Sequence, residues 1–249
     1  MTAVRICRGP IIDRAETFPY TGGMKVVLYG ATGMVGAGVL MECIADPRVT
    51  SVLCVGRKST GVAHPKVRDL ILNDPMDYSG IGDAFAGTDA CFWCLGITSL
   101  GMDEAAYSRI TVDFTVAGAN ALAAANPTMA FCFVSGASSD STEKGSVMWA
   151  RVKGRAENAV FAKFARSWAF RPGYIQPMKG VKSKTTWVNA VYTVMAPLYP
   201  LFRHFTGNFA TTTENVGLAM IHVALHGEEK KILENGDINR IAAKAKSAR

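Results

Sequence analysis

The sequence predicts an α/β fold: a doubly wound parallel sheet covered by helices on both faces, with a small C-terminal cap. Three observations predict it. From Lys25 onward, short apolar runs alternate with longer amphipathic stretches, the order that βαβ units with right-handed crossovers require. The short runs are continuously apolar, which marks strands buried on both sides. Between the first run and the first amphipathic stretch stands a glycine-rich turn, Gly30-Ala31-Thr32-Gly33-Met34-Val35-Gly36. A strand before such a turn and a helix after it are the context of a Rossmann-type sheet.

In chain order, the strand pattern falls on residues 26–29, 51–55, 67–72, 90–95, 130–134 and 168–171. Helical spacing falls on 34–44, 78–85, 103–125, 147–164 and 214–225. In 103–125, Asp103 is a cap candidate, and Ile110, Phe114, Val116, Ala117 and Leu122 recur near helical spacing. Regular alternation stops after Arg171. Residues 174–212 mix aromatics, prolines and lysines, the composition of an appended cap or lid; its aromatics include Trp187, Tyr192, Tyr199, Phe202 and Phe205. Residues 1–23 carry neither period and read as a flexible leader or an overlong start, 24–227 as the domain, and 228–249 as a basic tail with one strand-like run at 231–233.

A chain of 249 residues suits one such domain with an appendage. With 49% hydrophobic and 19% charged residues it is not a disordered chain, and its 24 glycines and 10 prolines follow no collagen-like period. No secretory h-region and no bilayer-length apolar run is present, so a cytoplasmic location without a membrane span is expected. Cys91-Phe92-Trp93-Cys94 has the spacing of a redox or zinc pair, but on a strand residues three apart face opposite ways, which favours buried structural thiols. His222 and His226 lie one helical turn apart with no third ligand, so no metal site is expected. The formal charge of +7 admits nucleic acid, an anionic membrane surface or a phosphorylated ligand. Residues 151–184 hold nine Lys or Arg against the single acid Glu157, which reads as a basic rim around a ligand site; no recognised nucleic-acid module is present.

The turn indicates the ligand. Gly30 permits a tight bend, Gly33 lets a pyrophosphate approach the backbone, and Gly36 lets helix and strand pack closely. The helix start at Met34 and Val35 offers N–H groups to phosphate. At the end of the second strand, where an NAD enzyme places an acid for the ribose hydroxyl, this sequence has Arg57 and Lys58, which suit the 2′-phosphate of NADP better than NAD.

Gly30 to Gly36, Gly96 after the fourth strand, the Val152-Lys153-Gly154 helix and the Arg171-Pro172-Gly173 turn together resemble the atypical short-chain dehydrogenase/reductases. Within these, the small Tat-interacting-protein-like and NmrA-like NAD(P)-binding proteins, many of epimerase type, are the most similar. The resemblance spans roughly residues 24–227. It implies that Thr32 belongs to the phosphate turn, that Asp74 faces the adenine, and that Leu95 and Gly96 pass along the nicotinamide ribose. It also implies a Tyr four residues before Lys153, where this chain has Trp149. An indole N–H donates a hydrogen bond but does not move a proton near neutral pH. Ser135 or Ser138 then stands as the partner that polarises the substrate, and Tyr174, a serine or water as the proton source. Three readings stay open: an NADP-dependent reductase or epimerase-like enzyme acting on an apolar small molecule, a non-catalytic NADP-binding sensor, or an enzyme limited to activated double bonds with Trp149 stacked on its ligand. The oligomeric state is left open.

Overall fold

The structure, a computed structural model, describes residues 22–178 and 210–248. Its main sheet is wholly parallel. The strands are β1 (Met24–Tyr29), β2 (Val49–Gly56), β3 (Val67–Ile71), β4 (Ala90–Trp93), β5 (Ala130–Val134), β6 (Ser167–Arg171) and β9 (Ile232–Glu234), in the order β3-β2-β1-β4-β5-β6-β9. Two further strands, β7 (Tyr174–Gln176) and β8 (Ala210–Thr212), pair in parallel beside it.

The continuous apolar runs are explained by what covers them. Val26 and Leu28 of β1 face one layer, built from α1 (Met34–Ala45), α5 (Thr213–His226) and α6 (Asn235–Ser247). Val27 and Tyr29 face the other, built from α3 (Phe114–Ala125) and α4 (Met148–Lys163). Each such side chain, fully buried, stabilises the fold by about 1.5–3 kcal/mol. Cys91 joins one layer and Cys94 packs against the other, so the C-x-x-C spacing straddles the sheet, and the thiols of Cys43, Cys54, Cys91, Cys94 and Cys132 are free. Helices α1 and α5 meet through small residues: a β-carbon on Gly38 would overlap Thr213, and one on Gly217 would lie 2.8 Å from the Glu42 side chain.

The predicted elements differ in three places. Residues 78–85 form only a short 3-10 turn at Gly82–Phe85, because Gly80 at φ 71° breaks the chain just before it. The predicted 103–125 helix is divided: α2 (Glu104–Ser108) passes through a π turn at Arg109–Asp113 into α3. The tail is a correction. Residues beyond 227 supply the edge strand β9 and the helix α6, whose Ile238, Ile241, Ala242 and Ala245 are fully buried. Of the predicted cap, 174–178 and 210–212 are described; the aromatic segment from Trp187 to Phe205 and the leader up to residue 21 lie outside the described residues. Among the described residues no helix is long and apolar enough to cross a membrane.

Candidate active site

The strand order reverses between β1 and β4, and in an open α/β sheet the crevice beyond the carboxyl ends of such a strand pair is where ligands bind. Tyr29 and Trp93, paired across the two strands, stack at 4.1 Å and close the floor of that crevice. Gly30 turns the chain at φ 76°, and a β-carbon there would lie 2.5 Å from the Cys94 carbonyl oxygen. The turn is thus pressed against the segment Cys94, Leu95 and Gly96 that leaves β4. The Gly33 N–H donates to the Gly30 carbonyl at 2.8 Å, and a β-carbon on Gly36 would overlap that same oxygen. Gly36 therefore admits the turn itself as well as the helix behind it.

Helix α1 starts at Gly33 with no side-chain cap and no acid in its first turn. Asp103 caps α2, Thr212 caps α5, and Glu234 with Asp237 box the start of α6. Helix α4 also starts without a side-chain cap, at Val147; at α1 the uncapped N–H groups stand directly after the glycine turn, with Thr32, Met34 and Val35 around them. Beyond β2, Arg57 and Lys58 are exposed, and no acid is paired with them among the described residues. Their loop is held from behind. Asp69 of β3 accepts from the Ser59 hydroxyl at 2.6 Å and from the Thr60 N–H at 3.1 Å. Asp74 is exposed and accepts from the Met76 N–H at 2.9 Å, the bond of a turn former.

On α4, Trp149 and Lys153 present one face, and both lie within 3.9 Å of the position a Gly136 β-carbon would take. The Lys153 ammonium sits 6.0 Å from the centre of the Phe133 ring. Burial lowers its pKa to about 8, with Glu157 opposing the shift. Ser135 is buried and meets the Ser139 hydroxyl at 2.9 Å, while Ser139 donates to the Gly136 carbonyl at 2.8 Å. The Ser135 proton is then the one shared with Ser139. Ser138 is exposed at a turn with φ 66°. The Tyr174 hydroxyl donates to the Gln176 side chain at 2.7 Å. The structure thus gathers Lys153, Ser135 and Trp149 around the exit of β5, sets Ser138 on a turn, and places Tyr174 on β7.

Residues to which the sequence assigns no site role hold this arrangement. Gly154 lets the loop after β5 touch α4, since a β-carbon there would overlap the Asp140 carbonyl, and the Asp140 N–H donates to the Ala150 carbonyl at 3.0 Å. Glu157, one turn beyond Lys153 and fully buried, grips Arg171 at the end of β6 through two bonds of 3.0 and 2.5 Å, and Arg171 also donates to Ser141 at 2.6 Å. The available signal was Glu157 itself, the lone acid in a basic stretch at helical spacing from Lys153. The same pairing corrects the basic rim. Among the described residues of that stretch, Arg151 and Arg155 are paired with Glu104, Arg171 with Glu157, and Arg166 donates to the Ala224 carbonyl at 2.6 Å, so these four serve structure; Lys179, Lys182 and Lys184 lie outside the described residues. The His222 and His226 rings lie 4.7 Å apart, tilted by 50°; among the described residues no group of three metal-binding side chains assembles.

No protein-family model and no curated protein matches the chain. Solved structures do. An oxidoreductase of the short-chain dehydrogenase/reductase family from Burkholderia thailandensis superposes with a TM-score of 0.59 at 15% identity, over 92% of this chain and 99% of that one. The chain has the Rossmann-type, doubly wound α/β fold of that protein. The Bordetella bronchiseptica enzyme WbmF in complex with NADH shares this fold with a TM-score of 0.61 at 13% identity, over 91% of this chain and 77% of that one. A short-chain dehydrogenase/reductase superfamily protein from Agrobacterium tumefaciens with bound NAD gives 0.60 at 15%, over 88% and 81%.

Proposed function

We propose that this protein is an NADP-binding oxidoreductase or epimerase-like enzyme acting on an apolar small molecule, with the usual catalytic tyrosine replaced by Trp149. The observation that carries the reading is the glycine turn pressed on Cys94 at the start of an uncapped helix, in the crevice between β1 and β4. Gly30 and Gly36 leave room where a side chain would collide, Gly33 keeps the turn open, and the start of α1 favours a pyrophosphate. The fold supports a nicotinamide cofactor, since relatives of the same fold carry NAD or NADH. The choice of NADP rests on Arg57, whose planar fork suits a 2′-phosphate, and on Lys58 beside it. When bound, such a cofactor supplies or removes two electrons at the substrate carbon. Lys153 would hold the nicotinamide ribose, as the resemblance implies, and Ser135 would orient the substrate oxygen by turning its hydroxyl proton away from Ser139. Ile97, Leu100, Val147 and Met178, exposed on segments at the carboxyl ends of the strands or near them, favour an apolar substrate.

Trp149 favours a second reading, a non-catalytic NADP-binding sensor or regulatory protein. The deciding experiment measures NADPH and NADH affinity for the native chain and for Arg57→Asp, then turnover of a panel of carbonyl and enone compounds by the native chain and by Trp149→Tyr. We expect tighter NADPH than NADH binding, a preference lost in Arg57→Asp, and turnover by the native sequence. Equal affinities would overturn the NADP assignment, and turnover by Trp149→Tyr alone would favour the sensor.

A further inference from the structure

We propose that Asp69, on β3, is a positioning residue for cofactor choice: it shapes the bend that carries Arg57 and Lys58 and so gives that pair its grip on a 2′-phosphate. This rests on the NADP reading above and names what makes that grip selective. Asp69 acts on the cofactor only through the loop. The bend is short and pinned at both feet. At one foot β2 ends at Gly56, whose carbonyl accepts from the Leu72 N–H at 3.0 Å. At the other, a single oxygen of Asp69, Oδ2, accepts from the Ser59 hydroxyl at 2.6 Å, the Thr60 N–H at 3.1 Å and the Thr60 hydroxyl at 3.2 Å. Both hydroxyls also accept, Ser59 from the Gly61 N–H at 3.0 Å and Thr60 from the Val62 N–H at 3.3 Å.

The strand register explains the bend. Cys54 of β2 stands opposite Asp69, and Gly56 opposite Ile71. To bring Ser59 and Thr60 back to Asp69, the chain has to reverse within two residues of leaving β2, and those two are Arg57 and Lys58. The Lys58 carbonyl accordingly curls to 3.8 Å from where a Gly56 β-carbon would stand. The basic pair forms the exposed apex of this reversal. Ser59 and Thr60, the hydroxyls next in line for a phosphate, are committed to Asp69, so the grip falls to Arg57 and Lys58.

A loop that closes on a phosphate gives up backbone freedom as it binds, and a loop fixed beforehand does not. NADH has no 2′-phosphate and gains nothing from the bend, so the brace acts on NADPH alone. The charge of Asp69 works in the opposite sense: a carboxylate near a phosphate repels it, weakly at an exposed, screened site. Asp69 therefore favours NADPH through the bonds that its oxygen accepts, which an amide oxygen can accept as well.

Titrations of the full chain with NADPH and NADH test this. In Asp69→Ala, NADPH affinity should fall by about five- to thirtyfold, the equivalent of one residue's backbone left to be ordered on binding, while NADH affinity stays at its native value. Asp69→Asn, which keeps the acceptor and removes the charge, should bind NADPH at least as tightly as the native chain. In the cofactor-free protein, hydrogen exchange at the Thr60, Gly61 and Val62 amides should quicken in Asp69→Ala and keep its native rate in Asp69→Asn. An equal loss for both cofactors, an NADPH preference unchanged or raised in Asp69→Ala, or no rescue by Asp69→Asn would overturn the proposal and leave the NADP reading standing. Equal NADPH and NADH affinities in the native chain would overturn that reading and the proposal with it. If Asp69→Ala does not fold, the double variant Ser59→Ala, Thr60→Val removes two of the three donors from the other side; it should show the same selective loss, and an undiminished preference there would overturn the proposal.

Discussion

Gly36 and Gly33 look equivalent in the sequence, yet a β-carbon at Gly33 would stand 3.3 Å from the Gly30 oxygen whereas one at Gly36 would overlap it. Gly36→Ala should therefore cost about 1–3 kcal/mol, the range of an overpacked site, and weaken NADPH binding at the same time. Thermal unfolding with and without NADPH reads both effects, and Gly33→Ala is the milder control for stability. His222 gives a second test at this scale. Its Nδ1 is buried without a hydrogen-bond partner among the described residues, and burial first, then His226 and Arg48, lowers its pKa to about 4. The unfolded chain binds that proton near pH 6.5, so between pH 6.5 and 4 it holds more protons than the folded chain, and stability falls as pH falls through this window. The melting temperature should drop between pH 6.5 and 5, and His222→Leu should flatten the drop. Two histidines one turn apart are legible in sequence; that one of them lacks a partner is not, because the elements facing α5 come from distant parts of the chain.

Helix α4 carries Lys153, proposed to hold the cofactor, and the contacts that align the helix. Lys153 lies beside Gly136, Gly154 receives the loop after β5, and Glu157 anchors the helix to β6 through Arg171. Removing one partner of such a buried pair leaves an uncompensated charge, at a cost of about 3–5 kcal/mol. Glu157→Leu and Arg171→Leu should each lower stability by that order, while the double variant recovers most of it, as urea unfolding would measure. The helix is readable from its spacing, and the Lys153 position from its motif. What the sequence withholds is the partner of each charge. Nine basic residues in a run suggest a rim, but Arg151 and Arg155 find Glu104 across a gap of about fifty residues, a meeting that only the layer of helices creates.

At the scale of the molecule, the strand and helix alternation and the glycine turn were enough to write the sheet as far as β6. The last strand was not legible as part of it. Residues 235–247 are rich in alanine and lysine, which reads as a solvated tail, yet Ile238, Ile241, Ala242 and Ala245 recur at helical spacing and form a wholly buried stripe. A chain ending at Gly227 would strip Phe170 and Ala169 of their β9 neighbours and uncover the layer that α5 shares with α6. It should fail to fold as a monomeric domain, read by circular dichroism and size exclusion. Ile241→Ala alone should cost about 2–5 kcal/mol.

The uncapped start of α1 ties the thermodynamics of the whole domain to its ligand. The starts of α5 and α6 are finished by the chain's own side chains; that of α1, at the glycine turn, is not, and under the proposed function a dinucleotide's phosphates complete it. Any ligand that binds the folded chain alone adds RT ln(1 + [L]/Kd) to its stability, about 2.7 kcal/mol at a hundredfold excess over Kd. The lifetime of this fold in a dilute solution should therefore rise and fall with the supply of dinucleotide, so that the protein's abundance would register that supply whether or not a substrate is ever turned over.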